Sequence, residues 1–266
     1  GFLQPHEQLD QRACCGGLIT PFDIYKHPEL YDDQYWWKKD DIEFYKQIIP
    51  SGSSALELGS GTGRLALPML RAEIDYYGLE LSKELCDYSQ EKLRTHDSTK
   101  RIFQGDMRSF NLNMKFNRIF IAFNSFLHIL SDEDAMSSLL CIKDHLKENG
   151  EFILEILSPK PEFLYKENDS HTPVMDFKDS STGDLVEIFE RCDYDNSSEI
   201  CNLRWEYRYQ SKPDKIQVFK YQMRMYYPDT INRLLTDVGF RIKDVRGSYE
   251  GGEFNEQSTL QIYICE

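Results

Sequence analysis

The sequence has no long hydrophobic run. A membrane-spanning helix needs roughly 18 consecutive apolar residues, and the most apolar stretch here, Ile119 to Phe123, is only strand-sized. The start of the chain has neither the basic residues nor the apolar block of a secretory leader, which predicts a cytoplasmic protein. Basic side chains are in deficit: 31 Lys and Arg stand against 45 Asp and Glu, a net charge of −14. A surface of that sign repels phosphate backbones and anionic bilayers, which excludes nucleic acid and membrane surfaces as general partners. No two of the seven cysteines form a Cys-x-x-Cys pair, and Cys14 and Cys15 are adjacent. That pattern argues against a zinc ribbon or a secreted disulfide framework and predicts buried thiols in a reducing compartment. No cluster has the spacing of metal ligands, so no metal is expected.

What the sequence does have is a globular composition: 266 residues, 40% hydrophobic and 29% charged, enough to bury a substantial core. Residues 1–20 carry few apolar side chains and read as an arm. The aromatic, charged stretch 22–49 reads as one or two helices, giving an N-terminal arm and helical cap over 1–50. Residues 51–157 then alternate strand and helix. The strands are Ser53–Gly59, Asp75–Leu81, Arg101–Gln104, Phe116–Phe123 and Glu151–Leu157. The helices are Arg64–Ala72, one capped by Ser82, and Asp132–Lys147, the last stopped by Asn149-Gly150. Over 158–228 the rhythm changes to long alternating runs (185–194, 201–209 and 215–227) of antiparallel character. From 229 to 266 it resumes, with a helix capped by Asp229 and two strands. The fold class this predicts is α/β: a Rossmann-like, doubly wound, seven-stranded, mostly parallel sheet with an antiparallel sheet inserted after the fifth strand.

In such sheets ligands bind beyond the carboxyl ends of the strands. The first strand runs into Glu57-Leu58-Gly59-Ser60-Gly61-Thr62-Gly63, a turn whose glycines let the backbone approach a nucleoside. Its spacing departs from the dinucleotide fingerprint, because Arg64 stands where the third glycine of a nicotinamide site belongs. The second strand ends in Glu80-Leu81, where a carboxylate can accept both ribose hydroxyl hydrogens. The third ends in Gly105-Asp106-Met107, where Asp106 is placed to take an adenine amino group and Met107 the ring face.

These segments resemble class I S-adenosylmethionine-dependent methyltransferases. LELGSGTGR (56–64) is similar to their first motif, GLELS (78–82) to the second and GDMRSF (105–110) to the third. FNRIFIAFNSFLHIL (116–130) is similar to the fourth, and LKENGEFILEI (146–156) to the fifth-strand region. Over about residues 30–266 the chain looks closest to the small-molecule branch that includes sugar N,N-dimethyltransferases. The resemblance implies S-adenosylmethionine as methyl donor. Glu57 would organise the glycine loop, and Gly59, Ser60, Gly61, Thr62 and Gly63 would make room for the amino-acid part. Glu80 and Leu81 would lie at the ribose, Asp106 and Met107 at the adenine, and Asn124 on the methyl-bearing side. It implies that Lys38 meets the donor carboxylate and that Tyr35 and Tyr31 close over the donor. His128 would stand beside the acceptor nitrogen as a base or an orienting group.

On the inserted strands Trp205, Tyr207 and Tyr209 share one face, with Tyr221 and Met223 on the next run. That face is an acceptor wall, the contact surface of a homodimer, or plain sheet packing; the intervening Arg204, Glu206 and Arg208 read as the wet face. The fourth motif lacks the prolines of enzymes that methylate nucleic-acid bases, which again points to a small-molecule acceptor, an amine before an alcohol. Two rival readings remain: a noncatalytic donor-binding protein that uses the inserted sheet to grip a partner, and a nicotinamide-dependent oxidoreductase.

Overall fold

The computed structural model describes residues 18–94, 101–167 and 171–266. Cys14 and Cys15, and most of the expected arm, lie outside them. In chain order the elements are β1 (Leu18–Pro21), α1 (Pro28–Gln34), α2 (Asp40–Ile48), β2 (Ser54–Leu58), α3 (Ala66–Arg71), β3 (Asp75–Glu80), α4 (Lys83–Leu93), β4 (Ile102–Gln104), β5 (Phe116–Ile121), α5 (Asp132–His145) and β6 (Leu146–Leu157). They continue with α6 (Pro161–Leu164), β7 (Met175–Lys178), β8 (Leu185–Asp195), β9 (Ile200–Tyr209), β10 (Lys212–Arg224), α7 (Pro228–Asp237), β11 (Ile242–Arg246) and β12 (Leu260–Cys265). None of the described helices is long and apolar enough to cross a membrane.

Seven strands form one sheet in the order β11-β12-β6-β5-β2-β3-β4. The pairs among β2, β3, β4, β5 and β6 are parallel, while β12 runs antiparallel to both β6 and β11. Each face carries its own core, because alternate residues of a strand point to opposite sides. Leu56, Leu58, Ile119 and Ile121 pack under α5 and α7 through Leu139, Ile142, Ile231 and Leu235. Ala55, Tyr76 and Phe120 pack on the other side against Phe44 and Tyr45 of α2, Met69 of α3 and Cys86 of α4. With β2 central and its neighbours reached by crossovers to either side, the carboxyl ends of β2, β3 and β4 open onto one crevice.

The second sheet has the order β1-β10-β9-β8-β7. Strands β7 to β10 are antiparallel neighbours, but β1 joins β10 in parallel. Residues 18–21 are therefore an edge strand, not part of a free arm. Four residues without a clear period give little local signal, and their partner lies almost 200 residues away. A third core of Ile24, Phe177, Val186, Ile188, Trp205, Tyr207 and Phe219 ties this sheet to the N-terminal helices, and the Tyr207 hydroxyl donates to Gln34 at 2.9 Å. The aromatic face thus packs in part against the N-terminal segment of the same chain. Glu206 is not on a wet face either: it is buried between Arg204 and Arg208, which it pairs at 3.1 and 2.8 Å.

Two helix ends differ from expectation. α7 starts at Pro228, preceded by Tyr227 as N-cap, so Asp229 sits in the first turn, where its charge meets the helix dipole. α5 stops at His145, and β6 begins at once; the left-handed Asn149 (φ 61°) lies inside that strand.

Candidate active site

The three strand ends meet the second sheet across a cavity of about 740 Å³, within the range of small-molecule sites. One wall is the donor-type cradle expected from the sequence: Gly59, Gly61, Glu80, Leu81, Asp106 and Met107 all line it. After β2 the chain turns so that the Gly59 and Ser60 N–H groups donate to the Leu79 carbonyl at 2.8 and 3.1 Å. This locks the loop onto β3. Gly61 (φ +54°) then presents its N–H to Glu80 Oε2 at 2.8 Å, and the Ser82 N–H donates to Oε1 at 2.8 Å. Burial pushes the Glu80 carboxyl upward, while these backbone donors pull it back.

Glu57, Ser60, Thr62 and Gly63 lie behind the wall and shape it from there. Ser60 is buried, and Gly63 returns its N–H to the Ser60 carbonyl at 2.9 Å. The Thr62 hydroxyl donates to Asp32 of α1, which also pairs with Lys92 at 2.9 Å. Glu57 accepts the Tyr76 hydroxyl hydrogen. Burial pushes the Glu57 carboxyl up to about 8, against the opposing pull of the Tyr76 hydrogen bond and the Arg64 charge. A folded-state value above the ordinary one of about 4.3 means that the stability this group supplies is fully present below that value and is lost as pH rises through about 8. Glu57→Gln cannot ionise and is expected to lose less stability than wild type between pH 6 and 9. Urea denaturation at the two pH values measures this; equal losses in both proteins would contradict a buried, neutral Glu57.

Asp106 lines the cavity, but Arg108 already holds it. The Arg108 guanidinium reaches Asp106 Oδ2 at 2.6 Å, its backbone N–H reaches Oδ1 at 2.9 Å, and a further arm reaches Asp134 at 3.0 Å. The hydrogen bond from Arg108 keeps the Asp106 carboxyl below its ordinary range. An adenine amino group would compete with Arg108 for these oxygens, while Met107 is free to meet the ring. Lys38 is not brought to the cavity. Its ammonium is buried, donates to Asp40 at 2.8 Å and to the Tyr249 hydroxyl at 2.7 Å, and lies over the Tyr249 and Phe123 rings. Asn124 lines the wall in a left-handed conformation (φ 65°), with its side-chain oxygen accepting the Leu157 N–H at 2.7 Å.

The opposite wall is aromatic. Tyr25, Tyr31 and Tyr35 come from the N-terminal segment, and Trp205, Phe219 and Tyr221 from β9 and β10. Phe219 and Tyr221 stack with centroids 5.0 Å apart, Trp205 meets Tyr221 edge-on at 5.2 Å, and Tyr25 meets Phe219 edge-on at 5.4 Å. His128 opens into the cavity between Tyr25 and Tyr221, its Nε2 3.4 Å from the Tyr25 hydroxyl. His128 is exposed at the cavity, and partial desolvation by the protein groups around it lowers its pKa. Burial raises the Tyr35 hydroxyl well above its usual range, which makes it a hydrogen-bond donor rather than a base. Sequence reasoning missed Tyr25, Arg108, Phe219 and Glu190. Only Glu190 left a trace, as a carboxylate at alternating spacing after Val186 and Ile188.

Residues 55–150 match the family described as a methyltransferase domain. The chain is 27% identical over 137 residues to the dTDP-3-amino-3,4,6-trideoxy-alpha-D-glucopyranose N,N-dimethyltransferase of Streptomyces venezuelae. That alignment covers 48% of this chain and spans only 56% of that relative's length. A glycine/sarcosine N-methyltransferase of Aphanothece halophytica is 23% identical over 251 residues, covering 90% of this chain and 87% of that one. The solved CcbJ methyltransferase of Streptomyces caelestis shares the fold with a TM-score of 0.75 at 18% identity, over 92% of this chain and 99% of that one. Over residues 55–150 the chain is similar to a methyltransferase domain, and it shares its fold with S-adenosylmethionine-dependent methyltransferases of known structure. Its cavity fits the adenosyl group by the residues present. Where a Cβ on Gly61 would stand there is no atom within 4 Å, a buried carboxylate lies at the end of β3, and Leu81 and Met107 offer apolar faces.

Proposed function

We propose that the protein transfers a methyl group from S-adenosylmethionine to the nitrogen of a small-molecule amine. The observation that carries this reading is one cavity with two unlike walls: the Gly61–Glu80 cradle on one side, and His128 in an aromatic wall on the other. The donor brings a methyl group already activated on a positively charged sulfur. The chain's own task is then to align the acceptor, keep water out and take up its proton. Gly59, Gly61, Glu80 and Met107 hold the nucleoside, with Asn124 towards the acceptor side. Tyr25, Tyr31 and Tyr35 close over it, and His128 receives the proton. The N-methyl and N,N-dimethyl products of the two relatives named above support nitrogen as the acceptor atom, as does the net charge of −14, which disfavours a nucleic-acid substrate. Cytoplasmic residence belongs to this reading.

Calorimetry with S-adenosylhomocysteine tests the donor half: saturable binding is expected, and its absence sinks the assignment. Transfer of labelled methyl from S-adenosylmethionine to a panel of small primary and secondary amines tests the other half. His128→Gln is expected to lower kcat by about a hundredfold or more, within the span of general-base catalysis, while leaving product binding intact. Because partial desolvation lowers the His128 pKa, wild-type activity should fall only as pH drops below the ordinary histidine value of about 6.5. That acid limb should vanish in the variant.

A further inference from the structure

Strand β8 turns Val186, Ile188 and Glu190 to one side, and β9 and β10 turn Trp205, Phe219 and Tyr221 to the same side. The register is explicit: Glu190 stands directly across from Trp205, and Trp205 across from Phe219. Of the second-sheet residues that line the cavity, Met175, Trp205, Phe219, Tyr221 and Met223 carry no charge, and Glu190 alone does. Its carboxylate is held in place, with Trp205 Nε1 donating to Oε2 at 2.8 Å. Its charge reaches across the cavity: besides burial, Glu190 is among the causes that raise the Tyr35 and Tyr221 hydroxyls. A fixed anion set in aromatic faces is the arrangement that recognises an organic cation, since both the carboxylate and the negative ring faces attract positive charge.

We infer that Glu190, with Trp205, Tyr221 and Tyr35, is the subsite for the acceptor's cationic nitrogen, and that the substrate class is an amine that enters or leaves as an ammonium ion. This rests on the methyltransferase reading of the same cavity. It also adds a physical reason for nitrogen. When an amine lone pair forms the new N–C bond, the C–S pair returns to sulfur and the positive charge moves to nitrogen. A carboxylate on the acceptor side favours that arrival; a neutral ether product would gain nothing from it.

The test uses wild type, Glu190→Gln and Glu190→Asp, titrated in a calorimeter with benzyltrimethylammonium and with uncharged benzyl alcohol. Each titration is run with and without S-adenosylhomocysteine. The expected result is saturable binding of the cation by wild type, a loss of at least tenfold in Glu190→Gln, partial recovery in Glu190→Asp, and no change for benzyl alcohol. Glutamine keeps an acceptor for the Trp205 N–H, so unchanged S-adenosylhomocysteine affinity shows that the cavity is intact. Equal cation affinity in wild type and Glu190→Gln overturns the subsite, as does failure of wild type to bind the cation at all. Failure to bind S-adenosylhomocysteine while the cation contrast persists instead overturns the donor assignment and leaves the cation subsite standing.

Discussion

Glu80→Gln should weaken S-adenosylhomocysteine binding by about 1–3 kcal/mol, or roughly five- to 150-fold. The carboxylate already accepts the Gly61 and Ser82 N–H groups, one on each oxygen. Each oxygen keeps a second acceptor direction for a ribose hydroxyl. An amide preserves the volume but replaces one oxygen with a donor that faces an N–H group, so one backbone contact and one hydroxyl contact are lost together. Isothermal calorimetry reads the affinity, and thermal unfolding of the ligand-free variant separates lost binding from a damaged loop. An unchanged affinity would remove Glu80 from the donor site and, with it, the main support for the orientation of the nucleoside.

Gly59→Ala is expected to destabilise the fold by about 2–4 kcal/mol, combining left-handed strain with overpacking. Gly59 has φ +74°, and a Cβ there would stand 2.7 Å from Ser125 Cβ and 2.8 Å from its hydroxyl oxygen. Ser125 cannot easily give way, since its hydroxyl is bonded to the Ala122 carbonyl at 3.1 Å. A fall in melting temperature of roughly 5–15 °C follows for a chain of this size. Gly61→Ala provides the contrast. Its Cβ meets nothing within 4 Å, so the fold bears only the left-handed strain, about 1–2 kcal/mol, while the new methyl group occupies space in the cavity that Gly61 lines. Calorimetry on both variants should show Gly59→Ala losing mainly stability and Gly61→Ala losing mainly affinity. The reverse order would mean that the loop presents a different side to the cavity.

The sequence shows the strand-end wall of the cavity more clearly than the aromatic wall for a local reason. Strands β2, β3 and β4 are short apolar runs that end at glycine or acid within a few residues of their ligand positions. The Ser82 cap likewise depends on neighbours, its hydroxyl accepting the Leu85 N–H at 3.3 Å. The aromatic wall is assembled from distant segments. Tyr25 owes its place to a 3-10 turn capped by Asp23, and Phe219 to a register set 14 residues away on β9. Pairing of β1 with β10 has no local signature, and Lys38 reads as a ligand for an anion until Asp40 and Tyr249 are seen to hold it. Glu206 reads as solvated because alternation shows which face a residue takes, not what covers that face.

The two walls of the cavity come from different sheets, one built on β2, β3 and β5 and the other on β8, β9 and β10, and they join where Cys201 and Leu203 of β9 pack into the core under α5 and α7. Exchange of the cavity-facing side chains Glu190, Trp205, Phe219 and Tyr221 would therefore reshape one wall and leave the strand ends of the other in place, whereas exchange at Cys201 or Leu203 would disturb both. In this scaffold a change of customer does not demand a new engine.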